Sequence, residues 1–152
     1  SAPGGRKLTF VKVRGESMQH VLLKAMTWAL LLPAHPTAVC EIDIGHRYRP
    51  DVVALDSTGE LPLCWGECGA VTTTKLSELA SAFPDTHFAV SKWAHSDLSG
   101  YAQQLRSELA LPARAAPFEL FSFPDDAAYR FVSPEGEIQI ERGDVQVVEI
   151  AE

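Results

Sequence analysis

Residues 47–69, RYRPDVVALDSTGELPLCWGECG, contain two apolar runs separated by the turn formers Asp56, Ser57, Thr58 and Gly59. They predict two antiparallel strands, at 47–55 and 61–68. Side chains alternate across a strand, which sends Leu63, Trp65 and Glu67 to one face and Cys64, Gly66 and Cys68 to the other. A carboxylate therefore stands inside an apolar strand, where it is costly unless a cation or hydrogen-bond donors meet it. Asp51 occupies the neighbouring strand, just before its apolar run at 52–55. Two carboxylates on adjacent strands repel each other unless a cation lies between them.

The reading extends outward from this pair. Upstream, residues 38–44, AVCEIDI, alternate and end at Gly45, which adds a third strand to an antiparallel meander. Residues 16–32, ESMQHVLLKAMTWALLL, predict a helix stopped by Pro33, with Met18, Val21, Leu22, Ala25, Trp28, Ala29 and Leu32 forming a wide apolar face. Glu16, His20 and Lys24 form a polar stripe at i, i+4 steps. This stripe reads either as a solvated edge or as Glu16 turned toward a site. Residues 6–14 alternate as a short strand or arm.

Downstream, a helix is expected from Thr73 or Thr74 to Phe83, with a threonine N-cap and Pro84 beyond it. A buried strand follows at 86–90, and then an amphipathic helix at 96–109 capped by Ser96. Residues 111–117 are linker-like. From Phe118 onward, FELFSF, YRFV, EIQIE and VQVVEI are short β-like runs between turn signals, read as a terminal meander packed on the main body. The expected fold class is thus α/β: a central mixed β-sheet flanked by helices, with a C-terminal β-meander. It is expected to form one domain over 1–152, with a core at about 15–110 and an acidic β-rich extension at about 117–152.

Composition agrees with a self-sufficient core, since 46% of residues are hydrophobic and 22% charged. No apolar run reaches the ~18 residues a membrane span needs, and the start has no secretory pattern, so no membrane partner and a cytoplasmic location are expected. Three cysteines at unpatterned spacing suggest reduced thiols. The net charge of −7 is unevenly distributed: residues 1–114 carry 11 basic and 11 acidic side chains, and residues 115–152 carry 2 and 9. A neutral body with an acidic appendage is compatible with weak, salt-sensitive binding to nucleic acid.

Oxygen ligands without a histidine cluster point to Mg²⁺ or Mn²⁺ rather than zinc. A hard cation held by carboxylates suits phosphodiester hydrolysis, because it polarises the phosphate and acidifies the attacking water. Taken singly, each acid has an ordinary structural explanation: Asp51 pairing with Arg47 or Arg49, and Glu67 with a core hydroxyl. Taken together, the two favour a site. Arg47 and Arg49, beside His46 and Tyr48, form a basic patch suited to phosphate and base contacts, or else a solvated hairpin face. A zinc site from Cys64 and Cys68 with His46 or His87 is disfavoured because the cysteines lie within a strand rather than a knuckle. A Cys–His hydrolase is disfavoured because no cysteine sits at a strand-to-helix turn.

The order helix with Glu, meander, Pro-Asp, hairpin, Glu-x-Gly, helix, strand resembles the PD-(D/E)XK (restriction-endonuclease-like) nuclease superfamily. Within it, GESMQHVLLKAMTWAL, RPDVVAL and WGECG followed by Lys75 resemble the YaeQ-like group, over about residues 15–110. The resemblance implies a restriction-endonuclease-like core, with Asp51 and Glu67 as catalytic metal ligands and Glu16, from the first helix, as an accessory acid at the same metal. It also implies a lysine where this chain has Gly69. Such a lysine orients or deprotonates water and stabilises charge on the phosphate. Lys75, at the start of the next helix, is the substitute this reading prefers. Lys92, at the end of the fourth strand, is held in reserve as a further basic contact to nucleic acid. The competing readings are a nuclease-fold adaptor that binds nucleic acid or protein without catalysis, which the missing lysine and the acidic tail both favour, and a homodimer built by pairing of terminal strands.

Overall fold

The computed structural model describes residues 16–111 and 113–151, so the strand or arm expected at 6–14 lies outside them. Helix α1 (Met18–Leu31) begins where the Ser17 hydroxyl accepts the His20 N–H at 3.0 Å, and it gives out just before Pro33. Ten of its residues are buried, including Lys24, so the polar stripe is not a solvated edge along its whole length. Met18 is the departure from the expected apolar face: at 56% it is one of the exposed large hydrophobic residues.

The meander forms with shorter strands than the alternation predicts. β1 (Val39–Cys40) stops at Glu41, whose φ of 61° is a left-handed conformation that breaks the pleat. β2 (Val52–Leu55) starts only after Pro50, which has no N–H to give to a ladder. β3 (Pro62–Cys68) pairs with β2 antiparallel, with Val53 opposite Trp65 and Val52 opposite Gly66.

Helix α2 (Thr73–Ala82), N-capped by Thr72, carries the chain across to β4 (His87–Trp93), which lies parallel to β3. Helix α3 (Leu98–Glu108) is capped by Asp97 rather than Ser96: the Asp97 carboxylate accepts the Gly100 N–H at 3.0 Å. It leads to β5 (Phe118–Phe123), parallel to β4, and β6 (Gln146–Glu149) closes the edge antiparallel to β5.

The result is a six-stranded mixed sheet in the order β1-β2-β3-β4-β5-β6 with helices on both faces, an α/β architecture. The C-terminal β-runs therefore extend the central sheet rather than packing on it as a separate meander. Within that region the YRFV stretch belongs to a short helix, α4 (Ala127–Phe131), and Ile138 contributes a single bridge to Val132.

The alternation read from β3 holds. Cys64 and Cys68 pack with α1, Val52, Ala54 and Phe121 in one core, while Trp65 packs with Leu76, Leu79, Phe88 and Leu105 in the other. All three cysteines are free thiols, with burial pushing Cys40 and Cys64 up to about 12. Gly66 sets how closely α1 approaches the sheet. A Cβ there would stand 3.1 Å from Val52 Cβ, an atom fixed to the backbone, and 3.4 Å from Thr27 Cγ2. Gly66→Ala is expected to destabilise the fold by about 1–3 kcal/mol through overpacking. In chemical denaturation this appears as a lower midpoint with an unchanged slope.

Candidate functional site

The two acids occupy neighbouring strand ends. Asp51 directly precedes β2, and its N–H donates to Gly66 O at 3.1 Å. Its Oδ2 accepts the Cys68 N–H at 2.8 Å, so the carboxylate rests against the backbone of the residue after Glu67. Glu67, one residue from the end of β3, is 5% exposed. Trp65 Nε1–H donates to its Oε1 at 2.9 Å, and Lys75 Nζ lies 3.0 Å from Oε1 and 3.1 Å from Oε2.

Lys75 stands in the first turn of α2 because Thr72 caps that helix, accepting the Lys75 N–H at 3.1 Å. From there its ammonium reaches back to β3 and also lies 5.1 Å from the centre of the Tyr48 ring, a cation–π distance.

Gly69 is suited to its place by backbone conformation. Its φ of 86° lies in the left-handed region, where a lysine would be strained although a Cβ would meet open space. The second lysine is also close at hand, since Lys92 Nζ donates to Gly69 O at 2.6 Å. Burial lowers the Lys92 pKa. Gly69, Lys92, His20 and Glu16 line one groove of about 620 Å³ along the ends of β3 and β4.

Glu16 sits on the α1 side of this region, ion-paired with Lys24 and 3.1 Å from His20 Nδ1. Lys24, 3% exposed, also pairs with Glu41. His20 is the residue that sequence reasoning left without a role. Its Nε2 is buried, makes no hydrogen bond and faces Asp51 Oδ1 across 4.0 Å. The only signal for it was its i, i+4 spacing from Glu16.

The basic patch is engaged by other acceptors. Arg47 pairs with Glu78 at 3.2 Å, Tyr48 donates to the same carboxylate at 2.7 Å, and Arg49 hydrogen-bonds Glu41 O. The structure thus gathers Asp51, Glu67, Lys75 and Lys92 at one end of the sheet with Glu16 beside them, and it leaves Arg47 on α2. Neither ordinary pairing expected for the acids is seen among the hydrogen bonds of Asp51 and Glu67, which use Cys68 N–H, Trp65 and Lys75 instead.

Burial is the largest influence on both acids and raises both pKa values. The Cys68 N–H, His20, Lys24 and Lys75 pull Asp51 back down. Trp65 and Lys75 do the same for Glu67, while the charge of Asp51 pushes it up. Lys75 is thus shared by the two carboxylates and does not fully offset their burial.

Such a donor set fits a hard divalent cation, which would supply the missing positive charge and is commonly held by one or two carboxylates plus water. Among the described residues no group of three or more His, Cys, Asp or Glu side chains is arranged to hold a metal.

A carboxyl whose folded pKa is raised contributes stability that is fully present below its unfolded pKa, about 3.9 for Asp. That contribution is lost as pH rises through the folded value. Asp51→Asn keeps an acceptor for the Cys68 N–H and removes the ionisation. In chelator-treated buffer it should melt at a higher temperature than wild type at pH 7, with the gap narrowing toward pH 3.5. A variant less stable than wild type at pH 7 contradicts this.

No protein-family model matches the sequence, and no curated protein matches it. Among solved structures, the fold is similar to the crystal structure of the YaeQ protein from Xanthomonas axonopodis pv. citri, with a TM-score of 0.58 at 13% identity, over 93% of this chain and 78% of that one. At this identity the likeness concerns the fold: this chain has a YaeQ-like fold.

Proposed function

We propose that the protein is a metal-dependent phosphodiesterase of nuclease type, acting on nucleic acid at the Asp51–Glu67–Lys75 site. The observation that carries the reading is Lys75 Nζ at 3.0 Å from Glu67, reaching the acids from α2 in a chain with glycine at 69. A Mg²⁺ or Mn²⁺ ion on Asp51 and Glu67 would polarise the phosphate and acidify a bound water.

The remaining roles fall to the chain itself. Lys75 offsets the charge of both acids, orients the water and stabilises negative charge on the phosphate as it develops. Lys92, in the neighbouring groove lined by Glu16, His20 and Gly69, offers a second positive charge to the backbone of a bound strand. Glu16 acts at one remove by holding His20 and Lys24 beside Asp51.

A second reading, a nuclease-fold adaptor that binds nucleic acid or protein without cleaving it, is favoured by one observation: residues 115–152 carry 9 acidic and only 2 basic side chains.

The test is cleavage of single- and double-stranded DNA and RNA with Mg²⁺ or Mn²⁺. Wild type should cleave at least one of these, Asp51→Ala should abolish turnover, and Lys75→Ala should slow it by about 10²-fold or more. No cleavage by wild type on any substrate, or equal rates for wild type and Asp51→Ala, removes the catalytic reading. Lys92→Ala should weaken substrate binding with a smaller effect on the rate at saturation.

A further inference from the structure

A second cluster of polar side chains lies at the other end of the sheet. His87 opens β4, and Lys92 lies five residues along the same strand, roughly 16 Å away at strand rise. The alternation of β4 and β5 turns His87 and Glu119 to the face that α1 covers, and the turn after α1 brings in His35.

His35 Nε2 and His87 Nδ1 face each other at 3.0 Å, with the rings tilted by 56° rather than stacked. His87 Nε2 meets Glu119 Oε1 at 2.6 Å, and Arg142 holds the other oxygen of Glu119. Burial raises the Glu119 pKa less than the bonds from His87 and Arg142 lower it, so the carboxylate stays ionised. With Glu119 accepting a hydrogen bond from Nε2–H, a neutral His87 ring directs its Nδ1 lone pair at His35. Burial is the largest cause of a lowered His35 pKa, which favours its neutral ring. The pair borders a groove of about 740 Å³ that Asp85 and Glu149 also line.

We propose that His35 and His87 form a two-imidazole site for a zinc-class divalent transition metal, with water completing its coordination. Two nitrogens each about 2.0–2.1 Å from a tetrahedral ion stand about 3.3 Å apart, a few tenths of an ångström wider than they stand here. A metal-bound histidine commonly gives its other N–H to a carboxylate, and Glu119 occupies that position on His87. Imidazole donors suit zinc, copper and nickel, whereas the all-oxygen pair Asp51 and Glu67 suits harder ions. The described residues hold no cluster of three such ligands, so the metal would be exchangeable and its open positions available to a further ligand. The competing arrangement is a plain hydrogen bond in which His35 Nε2–H donates to His87 Nδ1. This site is independent of the nuclease reading, and either can fail alone.

Calorimetric titration of the full chain with Zn²⁺ alone distinguishes the two arrangements. Wild type should take up one equivalent at this site. His35→Ala and His35→Gln should each weaken that uptake by at least about tenfold, and Glu119→Gln by about 10–100-fold. Asp51→Asn should leave it unchanged. Both His35 variants keep His87 and all three cysteines, so a loss in them cannot be assigned to thiol binding, and a circular-dichroism melt confirms that they fold. No uptake by wild type, or equal affinity in both His35 variants, overturns the proposal.

Discussion

Glu67 is a carboxylate placed within an apolar strand, and the chain around it is arranged to meet that cost. Trp65 gives it a hydrogen bond from the same strand face, and Lys75 arrives from α2, whose start is fixed by the Thr72 cap. Asp51, on the next strand, takes the Cys68 N–H. Burial still outweighs these partners and lifts both acids. Two carboxylates left short of compensation cost stability in their charged form, and the proposed metal site rests on that deficit.

Much of this was legible because β-strand geometry is strict. The two-residue period assigned the faces of β3 correctly, since Cys64 and Cys68 could not share a face with Trp65 without exposing one set. The antiparallel meander, the helix ended by Pro33 and the crossover from β3 to β4 followed from turn residues and apolar period in the same way.

What did not follow depended on contacts between distant segments. β1 ended early because Glu41 takes a left-handed conformation and pairs with Lys24, seventeen residues away. The runs after Phe118 looked self-contained, yet β5 found its partner in β4, because a buried parallel strand carries no local mark of where it will dock. Lys24 looked solvated, but α1 lies so close to the sheet over Gly66 that its polar stripe is drawn under the chain and answered by Glu16 and Glu41. The engagement of Arg47 by Glu78 was likewise invisible until α2 was placed. The His35–His87 contact joins the end of one helix to the start of a strand 52 residues later, beyond the reach of any local pattern.

Asp51 and Glu67 are proposed to grip one divalent ion together. Anomalous diffraction from crystals soaked in Mn²⁺ tests it most directly, because manganese marks its own position. The account predicts a single peak within coordination distance of both carboxylates, with Lys75 beside it. A map with no peak there, or with manganese bound by only one of the two acids, contradicts it.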